Sequence, residues 1–99
     1  MNNIITRFAP SPTGLFHFGS ARTALFNYLF AKKNNGKFIL RVEDTDPARS
    51  KDKYTEDIFT GMEWLRLKQD GKVTYQSQRK EVYEKYIKQL LEKELAYKK

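Results

Sequence analysis

Between Arg7 and Ser20 the chain reads Arg-Phe-Ala-Pro-Ser-Pro-Thr-Gly-Leu-Phe-His-Phe-Gly-Ser, and this run limits the fold more than any other. Pro10 and Pro12 fix φ and lack a backbone N–H, and Gly14 weakens either regular element, so neither a strand nor a helix can pass through. Before the run, Asn3 to Ala9 mixes β-branched and apolar side chains and predicts a strand. After it, Ala21, Ala24, Leu25, Tyr28 and Leu29 recur at spacings of three and four, which predicts a helix beginning at Gly19 or Ser20. Phe26 and Phe30 widen the apolar stripe and predict burial on two sides. A strand end, a Pro/Gly loop and a helix N-terminus gather unpaired N–H groups and the positive end of a helix dipole, a geometry that grips phosphate.

The first helix should stop near Asn34, because Asn35-Gly36 is a turn signal, and Lys37 to Val42 then reads as a short strand. Strand, helix and strand in roughly forty residues make a βαβ unit with parallel strands, so the fold class is α/β. Ligands of such sheets bind beyond the carboxyl ends of the strands. Those ends are the loop Ala9 to Gly14 and the run Glu43-Asp44-Thr45-Asp46, which should therefore face one crevice. A second helix is expected from Asp52 to Leu65, with Tyr54, Ile58, Met62 and Leu65 on one face, Phe59 beside them and Trp64 in the packing. Asp70-Gly71 marks a turn, Val73 to Tyr75 a short strand, and Ser77 the N-cap of a third helix from Gln78 to Glu94. That helix carries the cleanest apolar stripe of the chain, Val82, Tyr83, Tyr86, Ile87, Leu90, Leu91 and Leu95, against a solvated face of Lys and Glu.

Nineteen Lys and Arg against 12 Asp and Glu leave a net charge of +7, which favours an anionic partner such as nucleotide or nucleic acid, although a lysine-rich solvated surface explains it equally well. An apolar fraction of 39% supports a folded core in one small domain or one piece of a larger one. With no Cys and one His there is no disulfide framework and no Cys-based zinc site. No run approaches the roughly 18 apolar residues of a membrane span, and the N-terminus lacks signal-peptide features, so a cytoplasmic location is expected.

Three motifs in order now resemble a known family. Arg7 to Ser20, the following Ala21-Arg22-Thr23-Ala24-Leu25-Phe26-Asn27, and Arg41-Val42-Glu43-Asp44-Thr45-Asp46 together resemble the amino-terminal catalytic region of the glutamyl-tRNA synthetases. His17-Phe18-Gly19-Ser20 stands where the class I signature His-Ile-Gly-His is found, with Phe18 in place of the usual Ile or Val. The likeness continues through Tyr75-Gln76-Ser77-Gln78-Arg79 to Ala96-Tyr97 and so covers essentially the whole chain.

The resemblance implies a Rossmann-like class I fold that joins glutamate to ATP, with Mg²⁺ accompanying the nucleotide, and passes the glutamyl group to the acceptor end of tRNA. It implies roles residue by residue. Pro10, Ser11, Thr13, Gly14, His17 and Gly19 bind ATP, with His17, Gly19 and Ser20 as the catalytic signature. Arg7, Ala9, Ser11 and Glu43 bind L-glutamate, Arg7 through a guanidinium suited to a carboxylate and Glu43 by accepting the α-ammonium. His17 would donate to a phosphate oxygen as charge shifts during displacement. Gly19 would let the nucleotide approach the backbone, Gly14 would serve the turn of the loop, and Ser20 either caps the helix or touches phosphate. Asp44, Thr45 and Asp46 read as turn formers, and Arg49, Lys51 and Lys53 as solvated cations or neighbours of the tRNA acceptor end.

The sequence also departs from the family pattern. The lysine-rich second signature of class I enzymes is absent, as are the later half of the nucleotide fold and an anticodon-reading domain. The chain therefore reads as the amino-terminal part of one catalytic domain, expected to act as a monomer in its parent. No metal ligand set is expected in these residues, zinc included. Two alternatives stand beside the synthetase: a shorter paralogue that glutamylates a modified tRNA nucleoside, and a non-catalytic nucleotide- or RNA-binding module. Arg7, Ser11 and Glu43 together count against the latter.

Overall fold

The computed structural model describes residues 3–99. Its elements follow the order β1 (Ile5–Phe8), α1 (Phe18–Lys33), β2 (Lys37–Val42), α2 (Asp52–Trp64), β3 (Thr74–Tyr75), a single 3₁₀ segment (Gln76–Arg79) and α3 (Lys80–Glu92). The strands form one parallel sheet in the order β1-β2-β3, with Arg7 opposite Ile39, Phe8 opposite Leu40, and Arg41 opposite Thr74. The α/β architecture and the βαβ unit are those the sequence predicts.

Alternation along β2 sends Phe38, Leu40 and Val42 to a buried face and leaves Ile39 and Arg41 half-buried on the other. Phe38 and Leu40 meet Phe8, Ala24, Ala31, Ile58, Met62 and Leu67 in one cluster, so the buried side chains of α1 and α2 pack on the same face of the sheet. Tyr28 of α1 meets Phe38 edge to face at 5.6 Å, and the Thr6 hydroxyl donates to the Asn27 carbonyl at 2.7 Å, fixing α1 over β1. α1 approaches through Ala24 and Ala31, both fully buried. The two-sided burial expected of α1 is not found: Leu25, Phe26, Leu29 and Phe30 are 41% to 57% exposed, because small residues make the contact and the large ones look away from the sheet. Trp64, expected in the packing, is 81% exposed, since Ile58 and Met62 carry the buried side of α2.

The helices end alike. Asn35, Arg66 and Glu94 adopt φ of 54°, 59° and 57°, and six-residue closures follow from Gly36 to Ala31, Leu67 to Met62 and Leu95 to Leu90 at 2.7 to 2.9 Å. Only Asn35 was legible as such a stop. The third helix forms with the predicted stripe, yet no residue in it is buried. Ser77 does not cap it: a 3₁₀ turn precedes α3, and Ser77 bonds elsewhere.

Candidate active site

The loop after β1 is tied down along its length. Its Pro10 carbonyl accepts the Glu43 N–H at 2.8 Å, directly joining the carboxyl ends of β1 and β2, and its Pro12 carbonyl accepts the Lys51 N–H at 3.1 Å just before α2. A tight turn closes with the Thr13 N–H on the Ser11 carbonyl at 2.9 Å. The Phe16 N–H donates to the Asp57 carboxylate of α2 at 2.7 Å, and the Phe16 ring lies edge-on to Phe8 at 6.3 Å. A Cβ on Gly61 would collide with that ring, so glycine at this position of α2 is what lets Phe16 seat. The third strand end joins the same side: the Asp44 carboxylate accepts both the N–H and the hydroxyl of Ser77, at 2.9 and 2.7 Å. Asp44 is thus a latch between strand ends, while Asp46 forms the turn anticipated for it by accepting from the Arg49 and Ser50 N–H groups.

His17 is the N-cap of α1. Its backbone is extended, and its ring Nδ1 accepts from the N–H of Gly19 at 3.1 Å and of Ser20 at 3.4 Å. Accepting those protons requires the Nδ1 lone pair, so the neutral ring carries its own proton on Nε2, the nitrogen that lies 3.2 Å from the Ser20 hydroxyl. The helix therefore begins at Phe18, ahead of Gly19, and Ser20 takes the partner role to the ring and not the cap. Gly19 is small for a reason internal to the chain: its Cβ would stand 3.0 Å from His17 Cε1 and 3.2 Å from Nδ1. Gly14 has no such constraint, with nothing within 4 Å of a Cβ and no left-handed φ, so the turn does not require it. No acidic side chain occupies the first turn of α1, which leaves its positive end uncompensated.

A cavity of about 120 Å³ is bounded by Pro10, Ser11, Thr13, Gly14, His17 and Ser20, with Ile58 as part of its wall. It has room for a phosphate-sized group, well short of the several hundred Å³ that a whole nucleotide occupies. On the other side of His17 lies an apolar groove of about 520 Å³, lined by Phe16, Phe18, Arg22, Leu25, Trp64 and neighbours.

Arg7 is exposed on β1, and its register with Ile39 places it on the same sheet face as Arg41 and Glu43. Ala9 is half-buried and Ser11 exposed at the start of the loop. Glu43 is already engaged: its Oε1 accepts from the Arg41 guanidinium at 2.6 Å, with the two side chains 32% and 25% exposed. Asp57 is a participant that motif reading missed, and Arg41, although it heads the motif through Asp46, was given no role there; no spacing rule marks what either one does. Arg49, Lys51 and Lys53 are exposed at the beginning of α2, Arg49 near Asp46 and Lys53 over the Tyr54 ring. Among the described residues no three His, Cys, Asp or Glu are arranged to hold a metal ion, and no helix is long and apolar enough to cross a membrane.

The family profile described as "tRNA synthetases class I (E and Q), catalytic domain" matches residues 3–99. The chain belongs to this family. Among relatives of the class I synthetase chain, glutamate–tRNA ligase 2 of Rickettsia prowazekii is 60% identical over 97 residues, covering 98% of this chain and 21% of the relative. Glutamate–tRNA ligase 1 of Helicobacter hepaticus is 58% identical over 97 residues, with the same coverage of 98% and 21%. A crystal structure of a glutamate tRNA ligase from Elizabethkingia meningosepticum in complex with its amino acid superposes with a TM-score of 0.86 at 42% identity, over 92% of this chain and 20% of that one. The chain spans about a fifth of the length of the relatives it matches. The Rossmann-like class I fold and the synthetase membership expected from the motifs are thereby established.

Proposed function

We propose that this chain is the amino-terminal part of the catalytic domain of a glutamate–tRNA ligase, and that it supplies one half of a site for ATP and L-glutamate. The names of its relatives favour this reading over the paralogue that modifies a tRNA nucleoside. The observation that carries it is the 2.8 Å bond between Glu43 and Pro10, which puts the loop bearing Ser11 and His17 beside the acidic end of β2.

In this reading the glutamate carboxylate attacks the α-phosphorus of ATP, forming glutamyl-adenylate and releasing pyrophosphate, and a hydroxyl of the terminal adenosine at the 3′ end of tRNA then takes the glutamyl group and releases AMP. The substrate carboxylate is ionised at neutral pH, so no general base is needed, and positioning with charge stabilisation supplies the rate. His17 donates from Nε2 to a phosphate oxygen, an arrangement supported by the Nδ1 cap that fixes its tautomer. Backbone of Pro10, Thr13, Gly14 and Gly19 lines the nucleotide, and Ser20 orients His17. Arg7, Ala9 and Ser11 hold glutamate, and Glu43 accepts its α-ammonium. Mg²⁺ enters with the ATP phosphates as part of the substrate complex. Arg49, Lys51 and Lys53 face the tRNA acceptor end, and the location is cytoplasmic, the active form monomeric.

Glutamate-dependent exchange of labelled pyrophosphate into ATP, with tRNA present, tests the proposal in the complete protein that carries this segment. Exchange is expected with glutamate and not with aspartate. The 99 residues alone should give negligible glutamyl-tRNA, and robust aminoacylation by them would refute the assignment of half a site.

A further inference from the structure

Arg41 lies in the paired part of the central strand, opposite Thr74 of β3, two residues before Glu43 and on the same face. Three quarters of its side chain is covered. Among the described residues its guanidinium has one partner, Glu43 Oε1 at 2.6 Å, and its Nε is buried with none. The contact is end-on: it takes one carboxylate oxygen and leaves Oε2 of Glu43 without a partner among the described residues. A bidentate grip would have consumed both oxygens and satisfied more of the guanidinium donors. The chain instead keeps a half-buried arginine with a buried, unpartnered Nε on the central strand, in a geometry that fixes Glu43 and leaves half of its carboxylate open.

We propose that Arg41 is a positioning residue for amino-acid recognition, holding Glu43 by Oε1 so that Oε2 is free to accept the substrate's α-ammonium group. The inference rests on the reading of Glu43 as the acceptor of that ammonium group. Arg41 does not touch the substrate. Its ion pair orients Glu43 and holds the carboxylate in place until a cationic ligand shares it. Lysine would retain the charge on a mobile point donor, whereas glutamine would lose it.

The test uses the complete ligase carrying this segment, with KM for glutamate and for ATP measured separately by pyrophosphate exchange for E43Q, R41Q, R41K and the double variant E43Q/R41Q. E43Q should raise the glutamate KM roughly 10- to 100-fold, the range for a lost charge-assisted hydrogen bond. R41Q should raise it roughly tenfold with the ATP KM unchanged, R41K should recover most of that loss, and the double variant should be no worse than E43Q alone. An unchanged glutamate KM in R41Q, beside a raised one in E43Q, would overturn the role of Arg41 while leaving the Glu43 reading intact. An unchanged KM in E43Q would overturn both. Equal losses for glutamate and ATP in R41Q, or additive losses in the double variant, would show that Arg41 supports only the strand, and would also overturn the proposal.

Discussion

Replacing His17 by Asn keeps a capping acceptor at the start of α1 and removes the imidazole. Only one of the two cap contacts, 3.1 Å from the Gly19 N–H, is of ordinary length, and the other is 3.4 Å from Ser20, so the cap counts as about one bond. His17→Ala should therefore lower stability by about 1 kcal/mol, and His17→Asn by less than about 0.5 kcal/mol, because Asn caps well. Both variants lose the Nε2 donor, and loss of one preorganised donor at a developing charge slows turnover by on the order of 10²- to 10³-fold. Gly19→Ala is the third arm: its Cβ, 3.0 Å from Cε1 and 3.2 Å from Nδ1, forces the ring aside by several tenths of an ångström. A shift of that size should reduce turnover by roughly tenfold. Urea unfolding reads the first effect and glutamate-dependent pyrophosphate exchange the second, both on the complete protein that carries this segment. Near-normal exchange by His17→Asn would refute the donor role, and unchanged stability in His17→Ala would refute the cap.

Asp70 gives a pH prediction. Its carboxylate accepts the Phe38 N–H at 2.9 Å, and that bond, with the charges of Lys32 and Lys37, holds its pKa below the ordinary aspartate value. The unfolded chain then binds the proton more readily than the folded one, so the contribution is present above the unfolded pKa of about 4 and is lost as pH falls through the folded value. Asp70→Asn should be less stable than the parent at pH 6, with the gap closing at pH 3; a gap in urea midpoint that is constant with pH would contradict this. Gly61→Ala drives a Cβ into the Phe16 ring and should cost about 1 to 3 kcal/mol while slowing exchange, since Phe16 precedes His17. Full stability together with full activity in that variant would show that Phe16 does not seat the loop.

How much could be read in advance depended on whether the signal was local. The Pro/Gly run, the Asn35-Gly36 stop and the short strand from Lys37 to Val42 act through backbone chemistry within a few residues, and each appears where it was expected. Topology then brought Glu43 to Pro10, because parallel strands joined by one helix must end on the same side. Periodicity was less informative about burial. It marks a face as apolar without naming the surface that covers it, which is why Phe26, Phe30, Trp64 and most of the α3 stripe came out exposed among the described residues, with Tyr83 and Leu91 half-buried. Ser20 stayed open between capping and touching phosphate because Ser is the common capping residue and His an unusual one, and nothing short of the coordinates shows the ring folded back onto Gly19. Ser77 failed as a cap for a related reason, its hydroxyl and N–H both being taken by Asp44, distant in sequence. Arg66 and Glu94 adopt left-handed backbone without the glycine that would have announced it.

In the proposed function the loop from Ala9 to Ser20 and the end of β2 form one site, with a phosphate-sized recess walled by Ser11 and His17 on one side and Glu43 beyond Pro10 on the other. A molecule that combines both substrates probes the two halves of that site together. Calorimetric titration of a non-hydrolysable glutamyl-adenylate analogue into the complete protein carrying this segment should give binding that exceeds that of the aspartyl analogue by at least roughly 100-fold, the discrimination expected of a site whose polar groups are placed for one substrate. Equal affinity for the two analogues would contradict the account.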